Sequence, residues 1–143
     1  MKDIHILLVE DNEGDILLTT DALEEGDFST MVTVARDGKQ AIDLLDKKGI
    51  YSDTDSPDLI FLDINLPRKN GHEVLRYIKN SQALKHIPVI MLTTSSSNND
   101  INLAYSNYAN CYVTKPVDAE HFTHVLASVE NFFINVAKLP SNK

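Results

Sequence analysis

The stretch that decides the fold is Leu59-Ile60-Phe61-Leu62-Asp63, in which four apolar residues in a row end at a carboxylate. A continuous apolar run of this kind is typical of a strand buried on both faces, since a strand with one solvent-exposed face alternates apolar and polar residues. Ile6–Val9 and Val89–Leu92 have the same character. Such strands need helices on both sides of their sheet, so the sequence predicts an α/β protein.

Helical patterns separate the apolar runs along the whole chain. Together with weaker strands at Thr30–Ala35 and Cys111–Thr114, they predict five strand–helix pairs in strict alternation. The economical arrangement is a parallel sheet with right-handed crossovers. The last helix is predicted to carry one apolar stripe, formed by Phe122, Leu126, Val129, Phe133 and Val136.

Composition and charge exclude several classes of function. The 143 residues suit one domain, and 43% hydrophobic with 24% charged residues is ordinary for a globular chain. The net charge of −8 repels nucleic acid, and the apolar runs are far shorter than the ~20 residues of a membrane span. The chain begins without a signal peptide pattern, and its single cysteine cannot form an internal disulfide. We therefore expect a cytoplasmic protein whose partner is a cation or a basic protein surface.

Charged and hydroxyl residues follow the predicted strands. Glu10 and Asp11 follow the first strand, and Asp63 follows the third. The hydroxyl residues Thr93–Ser95 lie at the end of the fourth strand, and Lys115 follows the fifth. Each feature alone is explained by helix capping or a loop, but parallel strands would bring all of them to one edge. Clustered carboxylates repel one another unless a cation lies between them, and oxygen ligands suit Mg²⁺. The combination predicts a functional site.

These residues lie in motifs that resemble the receiver domain of two-component signalling. The motifs are Leu8–Asn12, Leu62–Pro67 with Gly71, Pro88–Thr93 and Tyr112–Pro116. The resemblance covers essentially the whole chain. It implies a flavodoxin-like, doubly wound five-stranded parallel sheet of order 2-1-3-4-5 with five helices. It also implies a single receiver domain over residues 1–143, without an output domain.

Other segments resemble the stand-alone regulators that are paired with phytochromes. They are the acidic loop Tyr51–Pro57, Leu66–Gly71, Asn110–Tyr112 and the tail that ends at Leu139-Pro140. The resemblance implies a cytoplasmic phosphoprotein that accepts a phosphoryl group from a sensor histidine kinase, for which a phytochrome is a candidate. Its phosphorylation would change a surface that a downstream protein reads. It would not be an enzyme, apart from catalysing its own phosphorylation and slow autodephosphorylation.

The same resemblance implies a role for each site residue. The Mg²⁺ site consists of Glu10, Asp11, Asp63 and the backbone carbonyl of Asn65. Asp63 is the implied phosphoacceptor, Lys115 and Thr93 contact the phosphoryl oxygens, and Thr93 and Tyr112 act as the switch. We also expect a cis peptide bond between Lys115 and Pro116, since only X–Pro bonds tolerate cis at modest cost. The histidines are predicted to be non-catalytic; they are His5, His72, His86, His121 and His124.

Three alternative functions are weaker. A phosphatase of the haloacid dehalogenase type needs an aspartate two positions after its nucleophile, where this chain has Asn65. A flavodoxin needs a phosphate loop after its first strand, but the acidic segment Glu10–Glu13 would repel the flavin phosphate. A receiver that works without phosphorylation usually lacks an acidic or lysine position, and here all of them are present.

Apolar residues near the end of the chain suggest how it assembles. Phe132 and Ile134 lie at the margin of the last helical stripe or opposite to it, and Leu139 follows them. A lone receiver needs a surface on which its state can be read. We therefore expect a homodimer that forms through the C-terminal helix and the residues after it.

Overall fold

The computed structural model describes residues 3–26 and 28–140. Within these residues, one parallel sheet has the strand order β2-β1-β3-β4-β5, which confirms the predicted fold class. Its strands are Ile4–Val9 (β1), Thr30–Ala35 (β2), Leu59–Leu62 (β3), Val89–Thr93 (β4) and Cys111–Thr114 (β5). The α-helices are Glu13–Glu24 (α1), Gly38–Leu45 (α2), Gly71–Lys79 (α3), Asn98–Ser106 (α4) and Ala119–Glu130 (α5). A 3₁₀ turn covers Gly49–Tyr51, and a π-helix covers Asn131–Val136.

The sheet separates two apolar cores. On β1, Ile6 and Leu8 belong to the core that α1 and α5 cover, whereas Leu7 and Val9 belong to the core beneath α2, α3 and α4. Strands β3 and β4 are buried at every position because they lie in the middle of the sheet and both of their faces are covered. Among the described residues, no helix combines the length and apolarity that crossing a membrane requires.

A side-chain cap fixes the start of every α-helix named above. Each capping side chain accepts a hydrogen bond from the backbone N–H three residues later, at 2.7–3.1 Å. The caps are Asn12, Asp37, Asn70, Ser97 and Asp118. Capping satisfies N–H groups that the first helical turn leaves without partners. Because the caps follow the strand ends closely, the intervening residues form the edge of the sheet.

The last helix departs from the sequence prediction. Regular α-helix ends at Glu130, and the next residues form a π-helix in which the N–H of Ala137 donates to the carbonyl of Phe132 at 2.7 Å. The wider turn rotates the helical face relative to an α-helix. Phe133 still packs against the core, but Val136 is exposed. The prediction of one stripe that includes Val136 was therefore wrong.

Candidate phosphoacceptor and metal site

The strand ends bring the predicted site residues to one edge of the sheet. The hydrogen-bonded ladder continues one residue beyond β1, β3 and β5: the N–H of Glu10 donates to the carbonyl of Ala35 at 3.0 Å, and that of Asp63 donates to the carbonyl of Val9 at 3.1 Å. On the far side, the N–H of Lys115 donates to the carbonyl of Thr93 at 2.7 Å. These bonds fix the backbone from which each functional side chain projects.

Three carboxylates cluster around one lysine. One oxygen each of Glu10, Asp11 and Asp63 lies within 4.8 Å of the others. The ammonium group of Lys115 contacts Glu10 Oε1 directly and lies 3.2 Å from Asp63 Oδ2. Glu10, Asp63 and Lys115 are buried, whereas Asp11 is exposed. A buried ammonium thus offsets part of the carboxylate charge, and Asp11 offers an oxygen on the open side.

Burial and charge shift the pKa values of this cluster. Burial raises the pKa of Glu10 to about 7, since it disfavours the ionised form, and the charge of Asp63 acts in the same direction. Burial alone would lower the pKa of Lys115, but the hydrogen bond to Glu10 and the charge of Asp63 outweigh it and raise that pKa. Lys115 therefore remains charged inside the protein.

Backbone amides orient the two buried carboxylates. Glu10 Oε2 accepts hydrogen bonds from the N–H groups of Asp11 and Asn12, at 3.1 and 3.2 Å. Asp63 Oδ1 accepts from the N–H of Asn65 at 3.3 Å, while Oδ2 faces Lys115. Each carboxylate is thus held at two points.

Gly71 brings α3 close to the backbone of Asp63. A Cβ atom on Gly71 would lie 2.2 Å from the carbonyl oxygen of Asp63 and 2.6 Å from Cα of Ile64. The N–H of Gly71 donates to the carbonyl of Ile64 at 2.8 Å, which closes the loop after β3. A side chain at this position would push α3 away from the site.

Thr93 and Tyr112 meet at Ser95. Thr93 is fully buried, and its Oγ1 lies 3.4 Å from the N–H of Ser95. The hydroxyl of Tyr112 donates to the carbonyl of Ser95 at 2.8 Å. Burial raises the pKa of Tyr112, which keeps this hydroxyl protonated as a donor. The structure thus joins the two residues of the predicted switch through one loop residue.

Asp15 is a member of the site that sequence reasoning missed. Its Oδ2 lies 3.0 Å from the ammonium of Lys115, so this lysine contacts three carboxylates. Asp15 lies in the first turn of α1, where a negative charge also interacts favourably with the helix dipole. The sequence did contain a signal for Asp15, because the first helical turn after a cap at a strand end lies at the same edge of the sheet as the other site residues.

One other expectation has a clear outcome, and the structure also shows the partners of two histidines. The peptide bond between Lys115 and Pro116 is trans, so the predicted cis bond was wrong; Lys115 reaches the carboxylates from a trans backbone. The buried histidines contact other partners: His5 Nε2 lies 2.9 Å from Thr33 Oγ1, and His72 Nε2 lies 3.0 Å from Asp100 Oδ1. Neither residue belongs to the carboxylate cluster.

The fold and this site define a receiver domain. The family model of the response regulator receiver domain matches residues 6–127, and the chain belongs to that family. The family consists of phosphoacceptor domains that bind a divalent metal and work with histidine kinases; it is not a family of classical enzymes.

Similarity extends to regulators of phytochrome signalling. The chain is 38% identical over 136 residues to the response regulator Rcp1 of Synechocystis sp., covering 95% of this chain and 92% of Rcp1. The crystal structure of phosphorylated RcpA, a cyanobacterial phytochrome response regulator, matches with a TM-score of 0.95 and 41% identity, covering 98% of this chain and 100% of RcpA. The Mn²⁺-bound form of Rcp1 matches with a TM-score of 0.93 and 37% identity, over 96% of this chain and 99% of that one. The chain is thus a receiver similar to phytochrome-associated regulators.

Proposed function

We propose that Asp63 is the residue that accepts the phosphoryl group, with a sensor histidine kinase as the donor. The observation that carries this proposal is the surroundings of Asp63. Its buried carboxylate lies 3.2 Å from a buried ammonium and within 4.8 Å of two other carboxylates, at the edge of the sheet where ligands bind. A carboxylate oxygen of Asp63 would attack phosphorus, and the bond from phosphorus to the imidazole nitrogen of the kinase would break.

The metal in this proposal is Mg²⁺. Glu10, Asp11 and Asp63 supply hard oxygen ligands of the kind Mg²⁺ prefers, and the backbone carbonyl of Asn65 is the proposed fourth protein ligand. The Mn²⁺-bound form of the similar regulator Rcp1 supports a divalent ion here. When bound, Mg²⁺ would neutralise charge on the carboxylates and the phosphoryl oxygens. Glu10 is the most deeply buried of the three carboxylates, and we propose that it holds the ion through a water molecule.

Lys115 and Thr93 would stabilise the phosphorylated state. A phosphoryl group adds about −1.5 to −2 charges at neutral pH and brings three strong acceptor oxygens. Lys115 already lies beside Asp63, so its ammonium can exchange a carboxylate partner for a phosphoryl oxygen. Thr93 would donate its hydroxyl to another oxygen. Because Thr93 and Tyr112 both contact Ser95, this movement would reach the surface through Tyr112.

The direct test is phosphorylation of the purified chain by acetyl phosphate and Mg²⁺, followed by intact mass measurement. We expect wild type to gain one phosphoryl mass and then lose it slowly in water, which would show both self-catalysed reactions. Asp63→Asn should gain none, whereas the exposed control Asp21→Asn should behave like wild type. A phosphoryl mass on Asp63→Asn would refute the assignment. Phosphotransfer from a purified phytochrome kinase would test the proposed donor, for which the similarity to RcpA is the support.

We also propose that two copies of this chain associate through α5 and the segment after it, and that a further protein reads the phosphorylated state. Exposed apolar side chains in this segment support the proposal. Phe132 is 51% exposed and Val136 is 62% exposed, while Ile134 and Leu139 are partly buried. Exposed apolar clusters commonly mark interaction surfaces. Sedimentation with and without beryllofluoride, a phosphoryl mimic, should show a dimer that Phe132→Ser weakens. A monomer at high micromolar concentration in both states would exclude the dimer and leave a different protein as the partner.

A further inference from the structure

The turn between β2 and α2, residues 35–38, contacts two segments of the proposed metal site. At one end of this β2–α2 turn, the carbonyl of Ala35 accepts a hydrogen bond from the N–H of Glu10 at 3.0 Å. At the other end, Gly38 begins α2 and lies against the loop between β3 and α3. Glu10 is one proposed holder of Mg²⁺, and the loop contains Asn65, whose carbonyl is another. The β2–α2 turn therefore connects two segments whose separation a bound ion depends on.

Gly38 touches the backbone of the β3–α3 loop. A Cβ atom on Gly38 would lie 2.0 Å from the carbonyl oxygen of Lys69 and 2.7 Å from its carbonyl carbon. The N–H of Gly38 lies on the same side and donates a long hydrogen bond to the carbonyl of Pro67 at 3.4 Å. The loop and α2 can approach this closely because residue 38 has no side chain. Any side chain at this position must push them apart.

The β3–α3 loop depends on such backbone contacts. Residues 65 and 67–70 are exposed, and within this stretch Leu66 is the residue that packs against the core. Arg68 has a φ of 68°, a left-handed conformation that persists in a residue of this type where the surrounding structure imposes it. On either side of Arg68, the N–H of Lys69 donates to the carbonyl of Pro67 at 2.8 Å. These are the two residues that Gly38 touches.

The β2–α2 turn is itself firmly held. The side chain of Asp37 caps α2 by accepting a hydrogen bond from the N–H of Gln40 at 2.7 Å. The side chain of Gln40 accepts in turn from the N–H of Arg36, also at 2.7 Å. Ala41 and Leu45 on α2 are buried in the core. Gly38 therefore presents a fixed surface to the loop.

We propose that the β2–α2 turn fixes the geometry of the metal site, with Gly38 as a positioning residue for the carbonyl of Asn65. The proposal rests on the proposed binding of Mg²⁺ by Glu10, Asp11 and Asp63. Mg²⁺ demands near-ideal octahedral geometry, so displacement of one ligand weakens its binding. A side chain at position 38 should therefore lower the affinity for Mg²⁺, although residue 38 supplies no ligand atom.

The test compares Gly38→Ala with Leu44→Ala. Leu44 is buried at the other end of α2, so its truncation destabilises the same helix without a clash against the loop. NMR titration under conditions where both variants are folded should show Mg²⁺ affinity at least about fivefold lower in Gly38→Ala. In Leu44→Ala it should change by less than about twofold, because Leu44 acts at a distant site. Wild-type affinity in Gly38→Ala would overturn the proposal, and so would equal losses in both variants.

A second pair of variants decides the question if Gly38→Ala does not fold. Asp37→Ala and Asp37→Asn remove the same charge, but asparagine keeps an oxygen that caps α2. Asp37→Ala should bind Mg²⁺ about twofold to threefold less tightly than Asp37→Asn, since a frayed first turn holds the loop less firmly. Equal affinities in this pair would then overturn the proposal.

Hydrogen exchange in the metal-free protein separates this proposal from the proposed function. The amides of Leu66 and Lys69 donate to carbonyls within the loop, at 3.0 and 2.8 Å. Their exchange should be at least about threefold faster in Gly38→Ala than in wild type, because the loop opens more often. If wild type binds no Mg²⁺, the proposed metal site fails, and the exchange rates still report on the turn. Wild-type exchange rates in Gly38→Ala would show that Gly38 does not hold the loop.

Discussion

The carboxylate site and the C-terminal π-helix Asn131–Val136 invert the usual relation between polarity and burial. At the site, Glu10, Asp63 and Lys115 carry ionisable groups and yet are buried. In the π-helix, Phe132 and Val136 are apolar and yet more than half exposed. The site tolerates buried charge because opposite charges lie together on a rigid sheet edge. In the π-helix, the wider turn rotates Val136 away from the core, whereas Phe132 already lies at the margin of the predicted stripe.

The two regions should therefore respond differently to substitution. A change at a buried residue of the site disturbs a set of mutually dependent contacts, since Lys115 contacts Glu10, Asp15 and Asp63. A change on the outer side of the π-helix removes few contacts within the domain. The comparison teaches that the proposed phosphorylation chemistry depends on buried charges held by one another, whereas the proposed assembly depends on a surface that the fold leaves uncovered.

The largest effect is expected for Lys115→Met. Removing one partner of a buried ion pair typically costs about 3–5 kcal/mol, because the other charge stays buried without compensation. Urea denaturation in the presence of a chelator should show this loss, and Mg²⁺ should restore part of it. The exposed control Lys69→Met should change the free energy of unfolding by less than about 0.5 kcal/mol. Wild-type stability in Lys115→Met would contradict our account of the buried charges.

Gly71→Ala should have the next largest effect. The added Cβ would lie 2.2 Å from the carbonyl oxygen of Asp63, so α3 must move. Overpacking of this kind costs about 1–3 kcal/mol, and the backbone clash puts this case at the upper end. Gly14→Ala is the control: its Cβ meets only the side chain of Asn12 at 3.3 Å, and we expect a change below about 1 kcal/mol. Similar effects of the two substitutions would show that the edge of the sheet is less rigid than we infer.

Asp11→Asn should affect metal binding rather than folding. Asp11 is exposed, so its loss leaves no buried group unpaired and relieves repulsion with Glu10 and Asp63. Mg²⁺ affinity should fall at least about tenfold, because ligand charge sets the affinity of such sites. Titration followed by NMR would measure this, with Asp21→Asn as the control. Unchanged affinity would remove Asp11 from the proposed ligands.

The smallest effect is expected for Phe132→Ser. Phe132 is half exposed and its ring meets that of Phe133 edge-on at a centroid distance of 5.2 Å, so the free energy of unfolding of the monomer should fall by no more than about 1 kcal/mol. Phe133→Ser should cost about 2 kcal/mol, because Phe133 packs against the core. Denaturation at low protein concentration measures both. Equal losses would mean that Phe132 contributes as much to the stability of the domain as Phe133, which packs against the core.

The sequence by itself determined the layered fold and the position of the carboxylates. Continuous apolar runs such as Leu59–Leu62 require covered faces, and the residue after each parallel strand must lie at one edge. Asp63 and Lys115 could therefore be assigned to one site from local pattern. The strand order itself came from the resemblance to receivers, because periodicity does not specify which strands are neighbours.

Tertiary structure alone decided the contacts between side chains that are distant along the chain. Asp15 and Lys115 are 100 residues apart, and His72 and Asp100 are 28 residues apart, with no local pattern that links either pair. The change from α-helix to π-helix after Glu130 is likewise a packing result, since the apolar spacing of this region also fits a continuous α-helix. Local patterns specify which face of an element is buried, whereas the partner of each side chain depends on how whole helices pack.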